Sequence, residues 1–114
     1  MKDELYHFDL YQDVAESTAI YPDKGDNLYY PALGLAGEAG EVCEKIKKIM
    51  RDQEGKLHQN NVEDLSKELG DVLWYVAALA SELNISMASI AEGNMIKLQD
   101  RLDRGVLKGS GDSR

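Results

Sequence analysis

Four acidic residues stand at a spacing suited to a metal ion. Glu38 and Glu41 are three residues apart, and so are Glu68 and Asp71. On a helix, positions i and i+3 share a face, so each pair presents two carboxylates together. The pairs also echo one another: Glu38-Ala-Gly-Glu41-Val42 and Glu68-Leu-Gly-Asp71-Val72. Carboxylates drawn close raise each other's pKa and need a counterion. Hard divalent cations with all-oxygen ligation, Mg²⁺ or Mn²⁺, supply it. Magnesium in such sites keeps several waters and is shared with substrate phosphates, which points to phosphate chemistry.

The pairs can meet only if their helices are neighbours. Helical period runs from about Ala32 to Asp52 and again from about Asn61, joined by the polar stretch "QEGKLHQNN". So short a connection predicts antiparallel packing. Glu41 lies 11 residues before Asp52, about 16 Å along a helix, and Asp71 lies 10 residues after Asn61, about 15 Å. The two acids are therefore level. The stretch "GLAGEAGEVCEK" is also poor helix sequence, because Gly34, Gly37 and Gly40 each cost about 1 kcal/mol relative to alanine. Close approach accounts for them: without a Cβ, another backbone or a metal–phosphate group can come near the acids, and Gly70 serves the facing helix alike.

Two more helices complete the pattern. The first runs from about Glu4 to Ala19, with Leu5, Phe8, Gln12, Ala15 and Ala19 at steps of three and four. "YPDKGDNLYYP" ends it. The second carries Leu35, Ala39, Val42, Ile46, Ile49 and Met50 on one side. The third has Asn61 as its N-cap, acids Glu63 and Asp64 in its first turn, and an apolar stripe from Leu65 to Leu83. The fourth starts at Ser86, with Ile85 and Ile90 as a hydrophobic staple, and ends near Leu102. No segment alternates like a strand. The expected fold is all-α, a four-helix bundle in one domain over 1–114, with an irregular tail over about 103–114.

Composition excludes some functions. The 114 residues hold 21 acids against 13 bases, a net charge of −8. Binding to a nucleic-acid polymer needs clustered Lys and Arg, so that partner is not expected. The N-terminus is too polar for a signal peptide, and no apolar run approaches the ~20 residues of a membrane span. A soluble, cytoplasmic protein without a membrane partner is expected. The single cysteine, Cys43, reads as a small core residue. Glu4-Leu5-Tyr6-His7 has the Glu-x-x-His form of di-iron bundles, but those need two such motifs. The other histidine, His58, has only Glu54 nearby, four residues before it in a connection. His7 reads instead as a surface or substrate-side residue.

"YPALGLAGEAGEVCEKIKK", "ELGDVLWYVAALASELNIS" and "NMIKLQDR" together closely resemble the MazG-like family of all-α nucleotide pyrophosphohydrolases. The family pattern is two glutamates three apart, a gap, then Glu-x-x-Asp, which Glu38, Glu41, Glu68 and Asp71 match. The gap here is 26 residues. Tyr11-Gln12 and "TAIYP" also look familial. The resemblance implies Mg²⁺-dependent hydrolysis of nucleoside triphosphates between the α and β phosphates, with nucleotide-pool house-cleaning as the role. It makes the four acids metal ligands and Glu41 or Glu38 the proton acceptor. It aligns Tyr75 with a nucleotide-contacting tyrosine, and Asn94, Lys97 and Arg101 with phosphate-binding positions. Trp74 reads as either a base-stacking or a packing residue. Lys45 and Lys48 read as phosphate contacts or as partners of Glu41 and Glu44. The resemblance also implies a homodimer or homotetramer, and long apolar stripes agree, since they need cover on more than one side. Lys108 and Arg114 among tail glycines suggest a flexible segment closing over the nucleotide. The competing class is a non-catalytic helical module that binds a nucleotide or protein, with structural acids.

Overall fold

In a computed structural model, the chain is described over residues 2–114, and its side chains over 5–114. Four helices form: α1 (Lys2–Ser17), α2 (Tyr29–Gln53), α3 (Gln59–Glu82) and α4 (Met87–Asp103). No strand occurs among the described residues. The all-α reading holds, with shifted boundaries. Helix α2 begins before Ala32, because Pro31 sits in its first turn, where a missing N–H leaves no bond unmade. Helix α3 begins at Gln59 with His58 as N-cap. Asn61 is thus not the cap; its Oδ1 accepts from the His58 backbone N–H at 2.9 Å. Glu63 and Asp64 consequently lie beyond the first turn. Ser86 does cap α4, accepting from Ser89 N–H at 3.0 Å.

The packing is a chain of pairs. Helix α2 packs on α3, α3 on α1, and α1 on α4; among the described residues no packed face joins α2 to α1 or α4. The axes of α3 and α4 turn through 103°. The core lies where α1 crosses α3, around Ala15, Ala77, Ala80 and Met87. Alanines there let the helix axes approach, while Tyr11 and Trp74 close the rim. Gln12 is the buried polar hinge of this corner. Its Nε2 donates to Ser81 Oγ (3.1 Å) and Ile85 C=O (2.9 Å), and its Oε1 accepts from Met87 N–H (2.8 Å). Asp9 accepts from Ala88 N–H at 3.1 Å. Side chains of α1 thereby satisfy orphan donors at the start of α4.

The arrangement is open. The radius of gyration is 16.9 Å, against about 13 Å for a compact chain of this length. Much of the expected α2 and α3 stripes stays in solvent: Met50 is 68% exposed, and Ile46, Leu69, Leu73 and Leu83 are also exposed. Cys43 is exposed, not a core residue, because among the described residues α3 is the helix with a packed face on α2. No single helix is long and apolar enough to cross a membrane. His7 is exposed, and the Glu4 side chain lies outside the described residues. Replacing Gln12 by Leu should lower stability by about 2–4 kcal/mol, since it strands the Met87 N–H and Ile85 C=O. Urea unfolding checks this; an unchanged midpoint would remove Gln12 as the hinge.

Candidate metal centre

A descending series of cross-helix contacts shows that α2 and α3 run antiparallel. Gln53 bonds Asn61 at 2.8 Å. Lys45 meets Asp64 at 2.5 Å and Glu68 at 3.4 Å. Further along, Gly34 faces Tyr75. The expected register brings the acids level. Glu38, Glu68 and Asp71 each offer a carboxylate oxygen, and these atoms lie within 4.8 Å of one another. Octahedral magnesium with ~2.1 Å bonds spans about 4.2 Å between opposite ligands. Small rotations of two half-buried glutamates and one exposed aspartate close that difference. The donor set is all carboxylate oxygen, which fits a hard divalent ion. Glu41, the fourth predicted acid, is not in the trio. It lines the adjoining polar cavity between α2 and α3, together with Glu44, Lys45, Lys48 and Asp64.

The charge balance is strained. Partial burial first, then the Asp71 carboxylate, a hydrogen bond with Glu68 and the charges of Glu68 and Glu41 hold Glu38 above the usual carboxylate range. Lys45 is the nearest cation. Its contact with Asp64, above all, raises its own pKa. Lys45 therefore pairs across to α3 rather than with Glu41, whereas Glu44 pairs with Lys47 (2.9 Å) and Lys48 (3.8 Å) along α2.

Tyr75 borders the trio. Burial raises its phenol pKa, and Tyr30, Glu38 and Asp71 add to the shift. Its ring fills the space where a Cβ at position 34 would lie, so Gly34 is required for this contact. At Gly37, Gly40 and Gly70 a Cβ meets nothing within 4 Å among the described residues, so no close approach within the chain accounts for them. Trp74 takes the packing alternative. It packs against Ala19, Tyr21 and Ala78, and its Nε1 donates to Thr18 Oγ1 at 2.8 Å. The α4 donors have other partners in this structure. Asn94 lines an apolar groove with Phe8, Leu73 and Ile90. Lys97 and Arg101 both bond Asp112 of the tail. Arg114, expected over a nucleotide, instead binds the carbonyls of Val106, Gly111 and Leu107.

Sequence reading misses the support behind Tyr75. Tyr30 tilts against Tyr75 with centroids 6.3 Å apart and stacks on Tyr21 at 4.6 Å and 11°. Tyr21 Oη donates to Glu82 Oε1 at 2.5 Å, and Glu82 also accepts from the N–H groups of Gly25 (2.9 Å) and Asn27 (3.3 Å). These bonds hold Glu82 below the usual carboxylate range and, after burial, help raise the Tyr21 phenol. Tyr11 also sits by the trio, where burial and the Asp71 charge raise its pKa.

The raised Glu38 pKa has a sign that can be measured. The ionised carboxylate is disfavoured in the fold, so it destabilises above its folded pKa, and acidification through that pKa relieves this. With metal chelated at pH 7, Glu38→Gln should raise Tm. With Mg²⁺ added, the wild type should gain stability and the variant far less. A lower Tm for Glu38→Gln in chelator would contradict the charge balance described.

Comparison with known proteins agrees with this geometry. The family model for the MazG nucleotide pyrophosphohydrolase domain matches residues 31–106, which include all four acids. The chain is 51% identical over 113 residues to "Gene 37 protein" of Mycobacterium phage L5, covering 95% of this chain and 99% of the phage protein. No solved structure matches it. With the family model spanning most of the sequence, the chain belongs to the MazG nucleotide pyrophosphohydrolase family.

Proposed function

We propose that the protein hydrolyses nucleoside triphosphates, deoxy or ribo, at the α–β phosphoanhydride, releasing a nucleoside monophosphate and pyrophosphate. The observation that carries this reading is the convergence of Glu38, Glu68 and Asp71 within 4.8 Å on the hairpin that the family model covers. These three residues would hold Mg²⁺, with Mn²⁺ as a substitute. Such an ion, when bound, neutralises phosphate charge and lowers the pKa of a coordinated water. Glu41 lies one turn from Glu38 but outside the trio, so it keeps a free carboxylate. It is assigned the proton of the attacking water, with Glu38 serving as ligand. Lys45, released from Glu68 when a cation takes its place, is assigned to a phosphate oxygen. Tyr75, fixed by Gly34 and Tyr30, is assigned to the nucleoside. Asn94, Lys97 and Arg101 on α4 are assigned to the phosphate tail. Removal of unwanted triphosphates from the cytoplasmic pool is the role that fits this reaction.

A homodimer or homotetramer belongs to the same reading. Its support is the open packing, with Leu33 72% exposed and Met50 68% exposed on α2. The α2–α3 hairpin also has glycines whose outer sides are free. Covering those faces with a second copy would remove apolar area from water at roughly 25 cal/mol per Å².

One set of samples tests both parts. With a panel of nucleoside and deoxynucleoside triphosphates plus Mg²⁺, pyrophosphate and monophosphate should appear in equal amounts. Glu68→Gln and Asp71→Asn should each lower turnover at least about 100-fold, mainly through metal affinity. Glu41→Gln should lower kcat by about 10²–10⁴ with Mn²⁺ affinity retained. Sedimentation at assay concentration should give at least twice the chain mass. No pyrophosphate from any triphosphate would favour the non-catalytic module, and a monomer would remove the oligomer from the proposal.

A further inference from the structure

The C-terminal segment supplies an anion to two cations that the acidic centre does not engage. Asp112 Oδ1 accepts from Lys97 Nζ at 3.0 Å and from Arg101 Nη2 at 3.1 Å. The Asp112 carbonyl accepts from the same guanidinium at 2.5 Å. The two partners differ in burial. Arg101 is only 5% exposed, and a buried cation needs a bonded anion. The Asp112 side chain is 82% exposed, so water and other anions can compete for its place on Arg101. The backbone around it is held mostly by itself. Arg114 binds the carbonyls of Val106, Leu107 and Gly111, and Arg104 binds that of Arg114. Gly105 (φ +73°) and Gly111 (φ +85°) adopt left-handed backbone there. Ordering glycine carries a large entropy penalty, which favours release.

One oxygen bridging an ammonium and a guanidinium at about 3 Å has the geometry of a bound phosphate oxygen. A phosphate offers several such oxygens and more charge than one carboxylate, and a guanidinium takes two of them at once. We propose that Asp112 is a resident anion on an oxyanion-binding pair, and that the segment 104–114 is an autoinhibitory strap which polyphosphate displaces. The identity of the displacing ligand rests on the pyrophosphohydrolase reading. The apparent affinity of Lys97 and Arg101 for phosphate is then the intrinsic affinity multiplied by the fraction of chains with the strap open.

Inorganic pyrophosphate is the probe, used in EDTA so that no metal brings it to the acidic centre. By calorimetry, full-length Asp112→Asn should bind it about two- to five-fold more tightly than the wild type, the scale of an exposed ion pair. In the wild type, pyrophosphate should speed tryptic cleavage after Lys108, read by mass spectrometry. This second readout decides alone if the variant does not fold. Equal or weaker binding by folded Asp112→Asn, or cleavage that pyrophosphate leaves unaltered, overturns the strap. Neither readout needs turnover. Absence of hydrolysis would therefore count against the pyrophosphohydrolase reading and the inhibitory role, and leave standing the displacement of the strap by polyphosphate.

Discussion

Three carboxylates held within 4.8 Å of one another are the constraint on which the rest of this molecule turns. Like charges at that range repel unless a proton or cation intervenes. The fold keeps them there nonetheless. It does so with a hairpin of two long antiparallel helices whose register is pinned from both ends. Gln53 and Asn61 tie the closed end, and the Tyr75 ring seated on Gly34 sets the far end. Lys45 lies between, partly compensating Glu68. Partial burial and the neighbouring Asp71 and Glu68 carboxylates still hold Glu38 above the usual carboxylate range. A divalent ion would suit this cluster in both charge and ligand chemistry.

The remaining elements serve the hairpin indirectly. Helix α1 packs across α3 and uses Gln12 and Asp9 to bind the start of α4, so both flanking helices are tied to one end of α3. The loop between α1 and α2 is gathered by Glu82 and brings Tyr21 against Tyr30 at the start of α2, behind Tyr75. Packing therefore accumulates behind Tyr75, whereas among the described residues no helix other than α3 has a packed face on α2. That asymmetry explains why Cys43 and Met50 are exposed on a helix whose sequence reads as half apolar.

Local spacing is the part of this design that the sequence makes legible. Helical period, the short α2–α3 connection and the two acid pairs are enough to place Glu38, Glu68 and Asp71 together. Boundaries are less legible, because Pro31 looks like a break but falls where a helix tolerates proline. Glu41 is level by arithmetic, yet level residues converge only if they also point inward, and spacing does not report that. Contacts at long separation leave no local trace: Tyr21 with Glu82 and Thr18 with Trp74. The glycines are only partly legible for a related reason. A missing Cβ signals close approach, but of those four only Gly34 has a neighbour within its own chain.

The position of the ion tests the central claim most directly. Crystals grown with Mn²⁺ and measured for anomalous scattering should show a peak about 2.2 Å from carboxylate oxygens of Glu38, Glu68 and Asp71. Lys45 should then have moved off Glu68. A peak elsewhere, or no peak there at saturating Mn²⁺ with Lys45 still on Glu68, would contradict it.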